Sequence, residues 1–212
     1  MKGQDAATLA AADGDRALSQ TRKSAKKRDA ILRAAIETIN AKSFAQATMT
    51  EIASTLDVRD TALYYYFPNK QALVYACHVH SLERFEALLL EAEQAGGTGS
   101  TKLRHFFRGL LLDSARNGPQ LYFGDHSYLE DDQREAIDAW GDRLKGLLER
   151  FLHEGMADGS VAPCEAGLAV QLLLGMLIWL GKWVHTVEDI TVDRLMTAIG
   201  AVTLRGLDPR EA

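Results

Sequence analysis

Long apolar runs, alternating strand patterns and cysteines are scarce in this sequence. The longest apolar run covers only residues 172–181, against roughly 20 residues in a membrane-spanning helix, so it predicts a buried helix. The two cysteines, Cys77 and Cys164, lie far apart in apolar helical contexts; we expect them to stay reduced, without a disulfide framework. Residues 1–20 lack the apolar segment of a secretion signal. Together with the missing strand alternation, these absences favour an all-α, cytoplasmic protein.

Motifs for catalysis and metal binding are missing as well. The sequence contains no HExxH, paired CxxC, GxSxG or phosphate-binding glycine loop. His78 and His80 are two positions apart, so on a helix they face different sides and cannot chelate a metal as an i, i+4 pair would. Neighbouring side chains on a helix point in different directions, so His78 is not placed to act as a general base for the Cys77 thiol. We therefore expect no enzyme, no metal site and no cofactor.

Positive charge is not in excess overall, yet it is unevenly distributed. The formal net charge is −5. Residues 1–70 hold 11 Lys or Arg against 8 Asp or Glu, a balance of +3, and the rest holds 13 against 21, a balance of −8. A basic front and an acidic back fit a protein that presents one end to phosphate, although acidic helices also simply favour solubility.

Residues 47–70, ATMTEIASTLDVRDTALYYYFPNK, have the outline of two short helices joined by a turn. Thr48 and Glu51 are spaced as a capping box at the start of the first helix. The turn is predicted at Asp57, and a second helix follows over residues 59–67, with its inner face at Leu63 and Phe67. This outline fits a helix-turn-helix, while the spacing alone fits an ordinary helical core equally well.

Within this stretch, LYYYFPNKQAL resembles the end of the DNA-binding domain of the tetracycline-repressor (TetR) family of transcriptional regulators. In that family the recognition helix ends in Leu-Tyr-Tyr-aromatic-Phe, followed by Pro, a polar residue and Lys. The match continues back through TMTEIA and the helix before it, over roughly residues 26–75. The resemblance implies a helix-turn-helix headpiece over 26–70 after a flexible basic tail (1–25), and a helical effector-binding and dimerisation domain over 71–212.

Candidate DNA contacts follow from this resemblance and from residue type. The basic run of residues 16–28 either improves solubility or reaches phosphates as a flexible arm. Hydroxyls at the start of the second helix suit phosphate, the front of the recognition helix suits the major groove, and the tyrosines and the lysine after them match family positions. The candidates are Lys26, Lys27, Thr48, Thr50, Arg59, Asp60, Thr61, Tyr64, Tyr65, Tyr66 and Lys70. Of the tyrosines, Tyr65 and Tyr66 are expected to be more exposed than Tyr64.

Three positions depart from the family pattern. Asp57 stands where the turn usually has Gly, and Asp tolerates a left-handed backbone better than most residues. Arg59 replaces a small hydroxyl residue, and Thr61 stands where a small residue is frequent. The Asp60 carboxylate would repel phosphates but could accept a hydrogen bond from a cytosine amino group. The operator sequence of a relative is therefore not transferable to this chain.

Helical spacing predicts the remaining elements. A first firm helix is expected over residues 26–42, with an apolar face at three- and four-residue spacing and Phe44 sealing its end. Further helices are expected over residues 70–94, 101–117, 130–157, 163–185 and 192–206, with a short segment over 121–129. This gives about nine helices. The helix that begins at Lys70 would join the headpiece to the effector domain.

The last two helices carry large apolar residues with small ones among them. By resemblance they pair with their twins in a homodimer, which makes the operator roughly palindromic. Apolar and aromatic residues between helices either line an effector cavity or simply fill the core. The effector-binding candidates are Phe85, Leu88, Phe106, Tyr122, His126, Trp140, Trp179 and Trp183. The stretch LLLGMLIWLGKWV resembles family members that answer to bulky apolar or acyl-thioester metabolites, so a small, largely apolar effector is expected.

The sequence thus predicts a ligand-responsive DNA-binding regulator, a repressor released from a palindromic operator by its effector. The alternative is a helical small-molecule binding protein or enzyme that does not bind DNA, whose first three helices serve only packing.

Overall fold

The computed structural model describes residues 4–121 and 126–204, and within them the side chains other than those of residues 4–21, 181–182, 185 and 204. All regular structure in these ranges is helical, which confirms the all-α prediction. The helices are α1 (Gln4–Lys42), α2 (Met49–Thr55), α3 (Asp60–Tyr66), α4 (Lys70–Ala95), α5 (Gly99–Asn117), α6 (Asp131–Ala157), α7 (Ala166–Trp183) and α8 (Val192–Ile199).

Eight α-helices in the described ranges compare with about nine predicted. The difference lies in residues 121–129, where a short further segment is expected. Residues 122–125 lie outside the described ranges, and residues 127–128 form a turn. A short 3₁₀ turn (Val184–Thr186) follows α7, and a π-helical turn (Gly200–Leu204) follows α8.

The chain divides into two compact units, Met1–Cys77 and His78–Ala212, and the division falls inside α4. The sequence places this boundary slightly earlier, after Lys70. None of the helices in the described ranges combines the length and apolarity needed to cross a lipid bilayer.

The first unit is built on the predicted apolar face of α1. Leu32, Ala35 and Ile36 are buried there, at the three- and four-residue spacing that places side chains on one side of a helix. Ile52 of α2 and Leu63 of α3 are fully buried. The apolar faces of these three helices together form a small core.

The first helix starts earlier than the sequence predicts. The sequence predicts the first firm helix from about Lys26 because residues 4–20 have no amphipathic stripe, yet α1 begins at Gln4. Alanine is frequent in this segment, and alanine has the highest intrinsic helix propensity. Local propensity therefore extends the helix without an apolar face. The proposed flexibility of residues 1–25 stays a prediction.

The predicted cap at Thr48 and the predicted turn at Asp57 are present, whereas the Glu51 side chain of the predicted capping box pairs with a lysine of α1. The Thr48 hydroxyl accepts the backbone N–H of Glu51 at 3.2 Å, and the Glu51 carboxylate pairs with Lys42. Asp57 has a φ of 53°, the left-handed conformation that Asp tolerates better than most residues. Asn69 Oδ1 accepts the N–H of Ala72 at 2.7 Å at the start of α4. Short polar side chains thus fix where these helices begin.

The second unit has an aromatic and aliphatic core in which α5 packs on α6 and α8, and α6 packs on α7. Phe106, Phe107 and Phe151 are fully buried within it. The start of α5 approaches α6 so closely that a side chain on Gly99 would collide with backbone atoms of Phe151 and Gly155. This close approach requires glycine at that position.

Candidate functional site

The α3 helix carries its exposed residues on one side. Leu63 and Phe67 are buried and hold α3 against the core, as predicted. Tyr65 is 83% exposed and Tyr64 is 48% exposed, whereas Tyr66 is half-buried. The predicted exposure of Tyr65 is correct, and the predicted order of the other two is wrong. Tyr66 lies three residues after Leu63, which turns it towards the core side of α3, and its ring meets that of Tyr65 edge to face at 5.1 Å.

The front of α3 is polar. Arg59 and Thr61 are exposed and Asp60 is half-buried. Asp60 Oδ1 accepts the backbone N–H of Thr61 at 2.8 Å, so this carboxylate is oriented by the first turn of its own helix. The Arg59 guanidinium, on an extended residue just before α3, carries the positive charge at this end.

Two threonines stand at the start of α2, both exposed. The Thr48 hydroxyl already accepts one backbone N–H, and its own O–H remains a donor. Thr50 lies one position inside the helix. Both hydroxyls can therefore donate to an anion that approaches this end of α2.

Lys70 begins α4, and its ammonium group lies 4.1 Å from the centre of the Phe44 ring. Phe44 lies two residues after the end of α1, and its role in sealing that end stays a prediction. Burial lowers the pKa of Lys70, while the negative face of the ring attracts the charged form. The half-buried Lys70 ammonium is therefore positioned rather than freely mobile.

Lys26 and Lys27 are exposed on α1 and line an open groove with Tyr65 and Tyr66. Arg28, the next basic residue, is instead 5.3 Å from the Phe67 ring. The structure therefore brings all the predicted DNA contacts into the first unit and leaves most of them exposed.

The effector candidates are less concentrated. Phe85 and Phe106 are buried and meet edge to face at 4.9 Å. Phe85 lines a cavity in the second unit with about 20 Å³ of free space, room for about one water molecule. Leu88 is half-buried one turn further along α4. Tyr122 lies outside the described residues.

The other candidates lie apart from that cavity. The Trp140 indole N–H donates to Glu86 at 3.1 Å. His126 lines an open groove of about 560 Å³ together with Gln171 and other residues of α6 and α7. Trp179 and Trp183 are exposed on α7 and do not belong to the lining of the Phe85 cavity.

The sequence does not predict a polar cluster around the buried His78, which extends through His126 to the exposed Asp138. His78 Nε2 and the Tyr128 hydroxyl are 2.9 Å apart, and the His78 ring meets that of His126 edge to face at 4.8 Å. His126 Nδ1 is 3.1 Å from Asp138 Oδ1. Burial, reinforced by the positive charge that His126 can carry, lowers the pKa of His78 to about 4. The available signal was position, since His78 lies midway between the buried Val74 and Leu82 at four-residue spacing.

Comparisons with known proteins agree with this geometry. The family descriptions "Bacterial regulatory proteins, tetR family" and "Tetracyclin repressor-like, C-terminal domain" match residues 31–77 and 96–207. No curated protein sequence matches the chain.

Solved structures of similar fold include three regulators. PfmR, a TetR family transcriptional regulator from Thermus thermophilus, is 23% identical, covers 84% of this chain and 99% of its own, and has a TM-score of 0.69. AibR, in complex with isovaleryl coenzyme A and operator DNA, is 22% identical, covers 85% of this chain and 99% of its own, and has a TM-score of 0.71. The fatty acid degradation regulator FadR from Bacillus halodurans is 22% identical, covers 87% of this chain and 97% of its own, and has a TM-score of 0.65.

At such identities these likenesses establish the fold alone. The family matches go further, because the C-terminal one covers more than half of the chain and the N-terminal one covers the α2–α3 region. The resemblance predicted from the sequence is thereby confirmed, and the chain belongs to the TetR family of bacterial regulatory proteins.

Proposed function

We propose that the protein is a transcriptional repressor that binds a palindromic operator through α2 and α3 and leaves it when a small, largely apolar effector binds the second unit. The observation that carries this proposal is the two-sided character of α3. Leu63 and Phe67 are buried, while Thr61, Tyr64 and Tyr65 are exposed. A helix held firmly on one side and polar on the other suits insertion into the major groove.

Homodimerisation through α7 and α8 is part of the proposal. Leu168, Leu172, Gly175, Trp179 and Trp183 are all exposed and recur at three- and four-residue spacing, so they form one apolar stripe along α7. Leu172 is 68% exposed and Trp179 is 63% exposed. Leaving such a continuous apolar surface in water is unfavourable, and a twin subunit would cover it. A two-fold dimer also presents two α3 helices to two operator half-sites.

The effector is proposed to be an acyl thioester or another bulky apolar metabolite. AibR, of similar fold, is described in complex with isovaleryl coenzyme A and operator DNA, and the Phe85 cavity of this chain has a largely apolar lining that includes Leu110 and Leu177. Its free space of about 20 Å³ is far below the roughly 300 Å³ of a typical ligand pocket. We infer that the effector selects an expanded conformation of the second unit, and it weakens DNA binding only if it prefers that conformation.

Footprinting on the DNA upstream of the protein's own coding sequence tests the proposal. A protected palindrome, with half-sites about one helical turn or a multiple of it apart, is expected at moderate salt. Arg104→Ala removes an exposed arginine of α5 in the second unit. Because this charge lies outside the proposed DNA-binding unit, the variant serves as a control and should give the same footprint as the wild type. Addition of acyl-coenzyme A thioesters should abolish the protection of that palindrome. Absence of any protected palindrome without the effector would instead favour a helical small-molecule binding protein or enzyme.

A further inference from the structure

Two spaces in the second unit share a wall. The Phe85 cavity and the open groove lined by His126 (the His126 groove) are both bounded by Leu174 and Ile178 of α7. The groove holds about 560 Å³, against about 20 Å³ for the cavity. A typical ligand pocket holds roughly 300 Å³ or more, so the groove has this room and the cavity does not. Two aliphatic side chains therefore stand between a ligand-sized groove and an apolar interior.

The shared wall consists of side chains from one side of α7. Leu174 and Ile178 are four residues apart, which places them next to each other along the helix. Leu174 is buried and Ile178 is half-buried. Side chains change rotamer faster than whole helices move. A rotamer change at these two positions would thus join the two spaces without displacing a helix.

The polar side of the His126 groove carries charges that already have partners. Lys145 Nζ lies 2.6 Å from Asp142 Oδ1, and His126 Nδ1 lies 3.1 Å from Asp138 Oδ1. Gln171 adds an exposed, uncharged amide to the lining. An anionic group that entered the groove would meet two carboxylates, and a cationic group would meet the Lys145 ammonium. An uncharged group that donates or accepts hydrogen bonds leaves both pairs intact.

We infer that the His126 groove and the Phe85 cavity form one binding site for an amphiphile. Its apolar chain passes between Leu174 and Ile178 into the cavity, and the polar group next to that chain lies in the groove and is uncharged. Alcohols, esters, amides and thioesters meet this description, whereas a free carboxylate or amine on the same chain does not. The inference rests on the proposed effector function and adds to it where the polar group binds and what charge it carries.

Probes that share one apolar chain test the charge requirement. Octanol and the N-acetylcysteamine thioester of octanoic acid are uncharged, while octanoate and octylamine carry opposite charges at about pH 7. Isothermal titration calorimetry measures their dissociation constants on the full-length protein. The two uncharged probes should bind more tightly than either ion. Because any apolar cavity disfavours an ion, substitutions in the groove are needed to locate the polar group.

Charge variants of the groove provide that test. Asp142→Asn leaves Lys145 without its partner and should tighten octanoate binding about threefold to fivefold, as expected for one exposed ion pair. Lys145→Met leaves the Asp142 carboxylate without its cation and should tighten octylamine binding by a similar factor. Neither substitution should change the affinity for octanol. Asp132→Asn and Arg116→Met remove exposed charges outside the groove lining and should change none of these affinities.

The length of the probe tests the passage between the two spaces. From pentanol to octanol, the affinity should rise roughly fourfold for each added methylene if the chain is buried. Ile178→Trp enlarges the shared wall and should remove this gain while pentanol still binds. Leu147→Trp enlarges a half-buried side chain of α6 outside both linings and should keep the gain. Circular dichroism spectra of both variants should match that of the wild type.

Three results would overturn the inference. The first is octanoate binding to the wild type as tightly as octanol. The second is an affinity for octanoate that Asp142→Asn leaves unchanged, which would place the polar group outside the groove. The third is a chain-length gain that survives Ile178→Trp, which would exclude the passage.

Failure of this inference is distinguishable from failure of the proposed function. If the groove variants show no effect but an acyl-coenzyme A thioester still abolishes the operator footprint, the joined site is wrong and the repressor proposal stands. If the probes and variants behave as expected but the protein protects no DNA, the joined site stands and the repressor proposal is wrong.

Discussion

The ammonium group of Lys70 lies 4.1 Å from the centre of the Phe44 ring, which joins the first residue of α4 to the segment that follows α1. A ring face attracts a cation without forming an ion pair with it, so contact with the Phe44 ring restrains the Lys70 ammonium group. Carboxylates would satisfy the charge and compete with phosphate. Phe44 therefore suits a lysine that is positioned to bind an anion from outside the protein.

Replacement of Lys70 by alanine tests this role. Lys70→Ala should weaken binding to every duplex by a similar factor and lower the salt slope by about one per protomer, because a phosphate contact is lost. Arg59→Ala, at the front of α3, should instead change base preference, since the major-groove edges differ between base pairs. Both are read from binding isotherms on the operator and its single-base variants. An unchanged salt slope for Lys70→Ala would contradict the phosphate role.

The exposed stripe of α7 predicts an effect on assembly. Trp179→Glu should convert a dimer into a monomer at micromolar concentration, because a charge in the centre of an apolar interface would be buried without a partner. Leu90→Glu is the matched control, since Leu90 is an exposed leucine of α4 outside the stripe. Sedimentation equilibrium measures both variants. A wild-type protein that sediments as a monomer, or a dimer that survives Trp179→Glu, would contradict pairing through α7.

Local features of this fold were predictable because they depend on neighbours in sequence. The Thr48 cap and the left-handed conformation at Asp57 follow from side-chain chemistry within a few residues. The buried face of α1 follows from the 3.6-residue period. The start of α1 was missed because alanine propensity carries no periodic signal.

Contacts between distant segments were not predictable in the same way. His78 and Tyr128 are 50 positions apart, and nothing in the sequence around either residue specifies the other. Trp179 and Phe85 both look like core residues in sequence, yet one is exposed and the other buried. Which apolar faces meet depends on how the helices pack, and a face meant for a second subunit has the same composition as one meant for the core.

The contact between α5 and α6 gives a paired stability prediction. Gly99→Ala should destabilise the second unit by about 2 kcal/mol or more, since the new methyl group would collide with the backbone at Phe151 and Gly155. Gly146→Ala is the control, because a side chain there meets open space in the middle of α6. It should be neutral or stabilising by up to about 1 kcal/mol. Urea unfolding curves compare the two, and equal effects would contradict the close approach.

The His78 cluster predicts that stability falls in acid. The pKa of His78 is lowered to about 4, whereas an unfolded chain has a histidine pKa near 6.5. Between these values the unfolded state binds the proton and the folded state does not, so the free energy of unfolding decreases as pH falls. Protonation of His78 should therefore lower the free energy of unfolding by about 2 kcal/mol between about pH 7.5 and pH 5.

His78→Gln should remove this share of the pH dependence while keeping a side chain that can bond to the Tyr128 hydroxyl. His105→Gln, at an exposed position of α5, is the control and should leave the pH dependence unchanged. Urea unfolding monitored by tryptophan fluorescence at several pH values measures all three proteins. Because the pKa of His78 is lowered by burial first and by His126 second, a wild-type protein with the same stability at both pH values would mean that His78 is accessible to water.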